Sequence, residues 1–310
     1  MTNPFDPRIS DYPRDMVGYG RELPDPKWPD GAVIAVQIVV NYEEGGENNI
    51  LHGDAGSEFF LTEHLAAPNL GGRNMTSESL WEYGSRVGFW RLWRELVRRS
   101  IPVTCFGVTM ALGRNPEAVA AMNEAGWEIA SHGLRWNVPA PVSLEEERKQ
   151  IEHTLALHEK ICGSPALGWY NRSSPQTYQV LSNIGSLLYF ADNYADELPF
   201  WSFLTGRAEL FIPYTLDAND MRFATNHGFS DSEQFFVYLR DTFDLLHREG
   251  QDGQPKMMSV GLHGRLSGRP GRCVGLLRFL EYAMSRSDVW FTTRAAIARH
   301  WRRYHPPVSA

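Results

Sequence analysis

Ala32-Val33-Ile34-Ala35-Val36-Gln37-Ile38-Val39-Val40 runs directly into Asn41-Tyr42-Glu43-Glu44-Gly45-Gly46. The first stretch is nearly unbroken apolar sequence rich in β-branched residues, the composition of a strand buried on both faces. Such strands belong to parallel α/β sheets and barrels, whose active sites gather at the C-terminal strand ends. At that end stand two adjacent carboxylates and two glycines. Like charges repel at close range, and a half-buried carboxylate is costly unless paired. A solvated acidic turn would satisfy the composition. Placement at a buried strand end points instead to acid–base chemistry at the mouth of an α/β fold.

Outward from this strand, strands and helices alternate. A polar, glycine-containing excursion spans about 45–75. Thr76 offers an N-cap to a helix carrying Leu80, Tyr83, Val87, Trp90, Trp93, Leu96 and Val97 at helical spacing. Pro102-Val103-Thr104-Cys105-Phe106-Gly107-Val108 reads as a second strand. Asn115-Pro116 opens a helix through Glu124, closed by Gly126. Trp127-Glu128-Ile129-Ala130 is a short strand, and Ser143 with Glu146 forms a capping box for a helix to about Ile161. Leu167-Gly168-Trp169-Tyr170 is a fourth strand, followed by a helix near 176–184. Leu187-Leu188-Tyr189 and Leu210-Phe211-Ile212 are later strands. Helix 231–249, strand 257–262, helix 270–285 and strand 289–291 follow. This alternation implies a largely parallel sheet. No repeat or linker divides the chain, so one domain over 1–310 is expected, with an N-terminal extension (about 1–30) and the 45–75 excursion folded over it.

Composition narrows the function classes. An apolar fraction of 43% in 310 residues suits a sizeable core. A net charge of -7 gives no support to a nucleic-acid or anionic-membrane partner. Cys105, Cys162 and Cys273 are far apart and odd in number, which argues for buried thiols rather than a disulfide framework or zinc knuckle. No apolar run approaches the length of a membrane span, and the N-terminus lacks a signal pattern. A cytoplasmic enzyme is expected.

The polar motifs fall at strand ends. Ser131-His132-Gly133 follows the third strand and Asn171-Arg172-Ser173-Ser174-Pro175 the fourth. Asp192-Asn193-Tyr194-Ala195-Asp196 follows the fifth, Asp217-Ala218-Asn219-Asp220 the sixth and Leu262-His263-Gly264-Arg265 the seventh. Glu43, Glu44, His132, Arg172, Asp192 and His263 are thereby candidates to face one mouth.

The order of these motifs resembles the polysaccharide deacetylase superfamily (carbohydrate esterase family 4), which implies a distorted seven-stranded (β/α)7 barrel. Glu43-Glu44 matches the family's acidic pair, His132 its first metal histidine, Arg172 its arginine and Leu262-His263 its last motif. The finer likeness is to the metal-independent allantoinase branch. It is carried by Asp11-Tyr12-Pro13-Arg14-Asp15, Val17-Gly18-Tyr19-Gly20, the Asn41 to Gly46 stretch and Leu51-His52-Gly53-Asp54. It continues through Tyr83-Gly84-Ser85-Arg86, Ser131-His132-Gly133 with Arg135-Trp136, and Gly168-Trp169-Tyr170. Ile212-Pro213-Tyr214-Thr215-Leu216-Asp217, Asn219-Asp220-Met221-Arg222-Phe223 and Ile297-Ala298-Arg299-His300-Trp301 complete it. The second metal-histidine position is Trp136, whose indole N–H is a donor only. Glu44 is one methylene longer than the aspartate expected there. Catalysis without a required metal follows as the expectation, with a divalent ion on Glu44, His132 and water as the remaining option.

The resemblance implies the following roles in cyclic amide hydrolysis. Glu43 activates water, His132 binds or polarises the carbonyl, Arg172 orients the base or the oxyanion, and His263 protonates the leaving nitrogen. Glu44, Glu47, His52, Trp136, Asp192, Asn219, Asp220 and Arg222 are the candidates for contacting substrate. Allantoin is the first expectation. Asn171 to Pro175 lacks the glycines expected in allantoinases, and Asn193 and Ala195 interrupt a stretch expected to be more acidic or hydroxylated, which keeps a cyclic imide or another ureide open. A metal-dependent polysaccharide or peptidoglycan N-deacetylase and a non-catalytic ureide-binding homologue are the further alternatives. The resemblance also implies a homo-oligomer, with a tetramer as the expected state. Trp81, Trp90, Trp93, Trp290 and Trp301 read as packing residues of the core or of subunit contacts.

Overall fold

The computed structural model describes residues 12, 14–63, 71–137 and 141–307. Residues 1–11 and 13 of the expected N-terminal extension, and 64–70 of the 45–75 excursion, lie outside that set. The strand that opened the sequence reading is β1, Ile34–Tyr42, and all nine of its residues are buried. It pairs in parallel with β2 (Val103–Gly107) over its second half, with β8 (Lys256–His263) along most of its length, and with β9 (Val289–Phe291) near its start. Beyond β2 the parallel order continues through β3 (Glu128–Ser131), β4 (Gly168–Trp169), β5 (Tyr189–Phe190) and β7 (Glu209–Phe211). Strand β6 (Phe200–Ser202) adds antiparallel to β7. The sheet curls until the segment after β7 meets β8, where Gly261 N donates to Ala218 O (3.0 Å) and Asn219 bridges Gly261. The result is a distorted barrel.

Alternation along β1 sorts its side chains. Ile34, Val36, Ile38, Val40 and Tyr42 join the cluster under the helices, whereas Ala35 and Val39 join a second cluster with Phe106, Ala130, Ile212 and Tyr214. Gln37 and Asn41 share that second parity, so the strand carries its inner face up to Glu43.

The helices are α1 (Met75–Tyr83), α2 (Phe89–Arg98), α3 (Thr109–Arg114), α4 (Pro116–Glu124), α5 (Leu144–Cys162), α6 (Pro175–Ile184), α7 (Ser232–Gln251), α8 (Pro270–Met284) and α9 (Arg294–Tyr304). Several details depart from the expected ones. The first helix is capped by Asn74, whose side chain accepts from Ser77 N, and not by Thr76. It also does not run straight to Val97: a π-helical turn, Gly84–Gly88, separates α1 from α2. Ser143 caps α5 by accepting from Glu146 N, while the reciprocal pair of a capping box occurs at Ser174 and Thr177. Short α3, edge strand β6 and arginine-rich α9 were not anticipated. The three cysteines are buried thiols. Among the described residues no helix is long and apolar enough to cross a membrane.

Candidate active site

The turn after β1 delivers the acidic pair. Gly46 N donates to Glu43 O (2.8 Å), and Gly45 has φ +100, a left-handed conformation that favours glycine. A side chain at Gly46 would collide with Val108. Both carboxylates are thereby turned into the barrel mouth and buried, Glu43 at 1% exposure and Glu44 at 4%.

Two histidines, one from the end of β8 and one from the end of β3, converge on one oxygen of Glu43. His263 is the last residue of β8 and lies beside Asn41 in register. Its Nε2 is 3.5 Å from Glu43 Oε1. His132 follows β3 and is fixed by its backbone N–H to Gly107 O (2.9 Å). Its Nε2 is 3.3 Å from the same Oε1, off hydrogen-bonding geometry, and neither of its buried ring nitrogens makes a hydrogen bond. Behind His263 stands Asp220. Its Oδ1 is 2.6 Å from His263 Nδ1, and its Oδ2 accepts from the backbone of His263 (2.8 Å) and Ser267 (2.9 Å). Asp220 therefore fixes the ring with Nε2 facing Glu43.

The second oxygen of Glu43 belongs to Arg265. Its Nη2 donates to Glu43 Oε2 (2.7 Å), its Nη1 to Glu44 Oε1 (3.3 Å) and its Nε to Leu61 O (3.1 Å). The guanidinium lies 3.8 Å from the Trp81 ring centroid and 5.6 Å from that of Trp136. The π-helical turn closes this arrangement. A side chain at Gly84 would strike the Glu44 carboxylate, and one at Gly88 the backbone of Gly264. Such turns concentrate at functional sites. Trp81 and Trp136 thus hold a charged side chain, beyond simple packing.

Electrostatics splits the acidic pair. Burial alone pushes both carboxyls up. In Glu43 the charges of Arg265 and His263 win and hold it well below the usual glutamate value. In Glu44 burial wins over Arg265, helped by repulsion from Glu43, so its carboxyl is raised. Burial opposes the charge on His263, but Glu43 and Asp220 overcome it and lift the imidazole to about 9. At neutral pH the site holds an ionised carboxylate next to a protonated histidine, the starting states of a base and an acid.

The remaining sequence candidates fall into two groups. Trp136, Glu47 and Glu44 border the cluster. Glu47 is buried, its Oε2 accepts from Gly45 N (2.5 Å), and burial raises its carboxyl. Trp136 packs on Trp81 (5.3 Å) and Phe60 (6.1 Å). The others serve the walls. His52 bonds Glu47 O through Nδ1 (3.1 Å), beside the Arg135–Asp54 pair. Asn219 caps a short helix through Met221 N (2.9 Å) and bonds Thr215 O (3.1 Å). Arg222 reaches His227 O (2.9 Å) and covers Phe229 and Tyr238. Asp192 accepts from Asn171 N, Arg172 N, Ser173 N and Ser173 Oγ, which makes it the tether of that loop. Arg172 itself is exposed, has φ +46, and lays its guanidinium 4.8 Å from the Trp136 ring. The arginine that touches Glu43 is therefore Arg265, against the expectation for Arg172, and Asp220 touches His263 through a direct bond. Arg265 follows Leu262-His263-Gly264 in the last motif, so its place at a strand end was readable; its partners were not.

The polysaccharide deacetylase family profile matches residues 79–179. A protein of Schizosaccharomyces pombe, provisionally named a polysaccharide deacetylase, is 40% identical over 94% of this chain and 98% of its own. The chain belongs to the polysaccharide deacetylase family and has its distorted-barrel fold. The structure of PuuE allantoinase is 49% identical, with a TM-score of 0.92 over 96% of this chain and all of that one. A probable polysaccharide deacetylase from Pseudomonas aeruginosa PAO1 is 48% identical, with the same TM-score and coverage.

In the family's pattern one carboxylate and two histidines would hold a divalent ion. Arg265 places a fixed positive charge on both carboxylates, and the Trp136 indole offers no lone pair. Among the described residues no group of three or more His, Cys, Asp or Glu is arranged to hold a metal. The residues present do not fit a catalytic metal ion.

Proposed function

We propose that this protein hydrolyses a carbon–nitrogen bond of a small cyclic ureide, allantoin first among them, with protein groups alone. The observation that carries this reading is Glu43 Oε1, flanked by His132 Nε2 at 3.3 Å and His263 Nε2 at 3.5 Å. Water between Glu43 and a ring carbonyl loses its proton to Oε1 as its oxygen adds to the carbon. A ring N–H of His132, with no hydrogen bond to a protein acceptor, donates to the carbonyl oxygen as negative charge develops there. Collapse of the tetrahedral intermediate breaks the C–N bond, His263 gives its Nε2 proton to the departing nitrogen, and the ring opens to a carboxylic acid and a ureido nitrogen. The likeness to PuuE allantoinase supports this substrate class.

The names of the relatives from S. pombe and P. aeruginosa favour a second reading, deacetylation of a polysaccharide. The test is turnover by purified, EDTA-treated protein of allantoin, hydantoin, dihydrouracil, succinimide and N-acetylglucosamine oligomers. Allantoin or another ureide is the expected substrate. Turnover of succinimide moves the substrate to cyclic imides. Acetate release only after zinc or cobalt is restored overturns the reading.

A further inference from the structure

We propose that Arg265 is the positioning residue of the base: it occupies Glu43 Oε2, pins Glu44, and so presents Oε1, between the two histidines, as the oxygen that takes the proton of water. Nothing in the motif match assigns this residue a role. It rests on the reading of Glu43 as the base.

The geometry is specific. A carboxylate has two equivalent oxygens, and an untethered glutamate side chain rotates between them. Here Nη2 takes Oε2 at 2.7 Å, and both histidine Nε2 atoms face Oε1. The guanidinium is itself held on three sides: by Glu44 Oε1, by the Leu61 carbonyl and by the face of Trp81. Arg265 is 1% exposed, so bulk solvent does not reach these contacts. The planar fork reaches three acceptors at once, which a lysine ammonium on a single stem cannot reproduce in the same geometry. Glu44 thereby acts as the anchor of the anchor, and its burial at the acidic pair needs no contact with substrate.

The test is a double-mutant cycle on a substrate the parent enzyme turns over. Arg265→Met is expected to lower kcat about a hundredfold, the scale of a displacement of about 1 Å at a reacting group, with KM nearly unchanged. Arg265→Lys is expected to recover part of that loss. In the Glu43→Gln background Arg265→Met is expected to cost less than about threefold more, because a positioning residue has nothing left to position. Arg265→Met combined with Glu44→Gln removes one buried carboxylate with the arginine and supplies a folded variant if the single substitution unfolds. Full multiplicativity in the cycle overturns the proposal and leaves Arg265 a structural ion pair. An inactive parent on every ureide and imide would bring down the reading of Glu43 as a base, a result distinct from multiplicativity in an active one.

Discussion

Among the described residues two arginines are buried, Arg265 and Arg294, and they are treated in opposite ways. Arg265 at the mouth pairs with two carboxylates, and their charges keep its proton more firmly bound than usual despite burial. Arg294 lies inside the barrel among Phe106, Tyr189 and Tyr214. It donates to Gln37 Oε1 (2.8 Å), Ser259 Oγ (3.2 Å) and the carbonyls of Ile212 and Pro213, and no ion pair of it is seen among the described residues. Burial there prevails, and its pKa is lowered. A buried charge that serves the fold can be met by neutral acceptors already present in the backbone. A buried charge that serves chemistry keeps partners whose own ionisation it controls.

The comparison is broken most directly at Glu43. Glu43→Gln keeps the shape and loses the base, and kcat is expected to fall by about 10²–10⁴; near-normal steady-state turnover would sink the scheme. The next test is the pH profile of kcat/KM. His263 is lifted to about 9 by Glu43 and Asp220, above its usual value of 6.5. Activity should hold through neutral pH and fall about tenfold per unit above an apparent pKa near 9, which belongs to the coupled group rather than to His263 alone. The same proton should stabilise the fold fully below pH 6.5, with that contribution lost as pH rises through 9. A basic limb near pH 6.5 would show that the charge partners are not acting. Arg294→Gln is expected to destabilise by about 1–3 kcal/mol, through carbonyls left unpaired, with kinetic constants within about threefold of the parent. Urea unfolding and steady-state kinetics, measured together, separate it from the mouth arginine. Arg172→Ala sharpens the contrast from outside: loss of an exposed cation–π contact is worth about 0.5–1 kcal/mol, so any change should be severalfold and mainly in KM. A kcat loss matching Glu43→Gln would restore Arg172 to the role given by its motif.

Much of this was legible from residue pattern. The apolar run before Glu43 identified a fully buried strand, and the positions of His132 and His263 followed from strand ends alone. What failed to show has a common physical cause. Asp220 and His263 are 43 residues apart, and Arg265 and Glu43 are 222 apart. Pairings at such separation depend on where a curled sheet closes, which local periodicity does not encode. The π-helical turn was invisible for another reason: the helical spacing of apolar residues runs on across Gly84 and Gly88, while the use of these glycines is to admit Glu44 and Gly264. Strand β6 has three half-buried residues and lies at a sheet edge, too short for alternation to register.

The interlocked glycines have a consequence for how such a site changes over generations. On the side of Gly84 and Gly88, backbone meets carboxylate and backbone with no room for a methyl group. Variation there is closed, because the smallest step toward another residue displaces the reacting groups. Across the mouth, Asp192 grips the loop at 171–173 through three backbone amides and one hydroxyl, leaving the Arg172 side chain outside. That rim can exchange side chains while its path is preserved. A lineage carrying this barrel can therefore change the exposed side chain at position 172 while the wall that holds Glu43 and Glu44 stays closed to change.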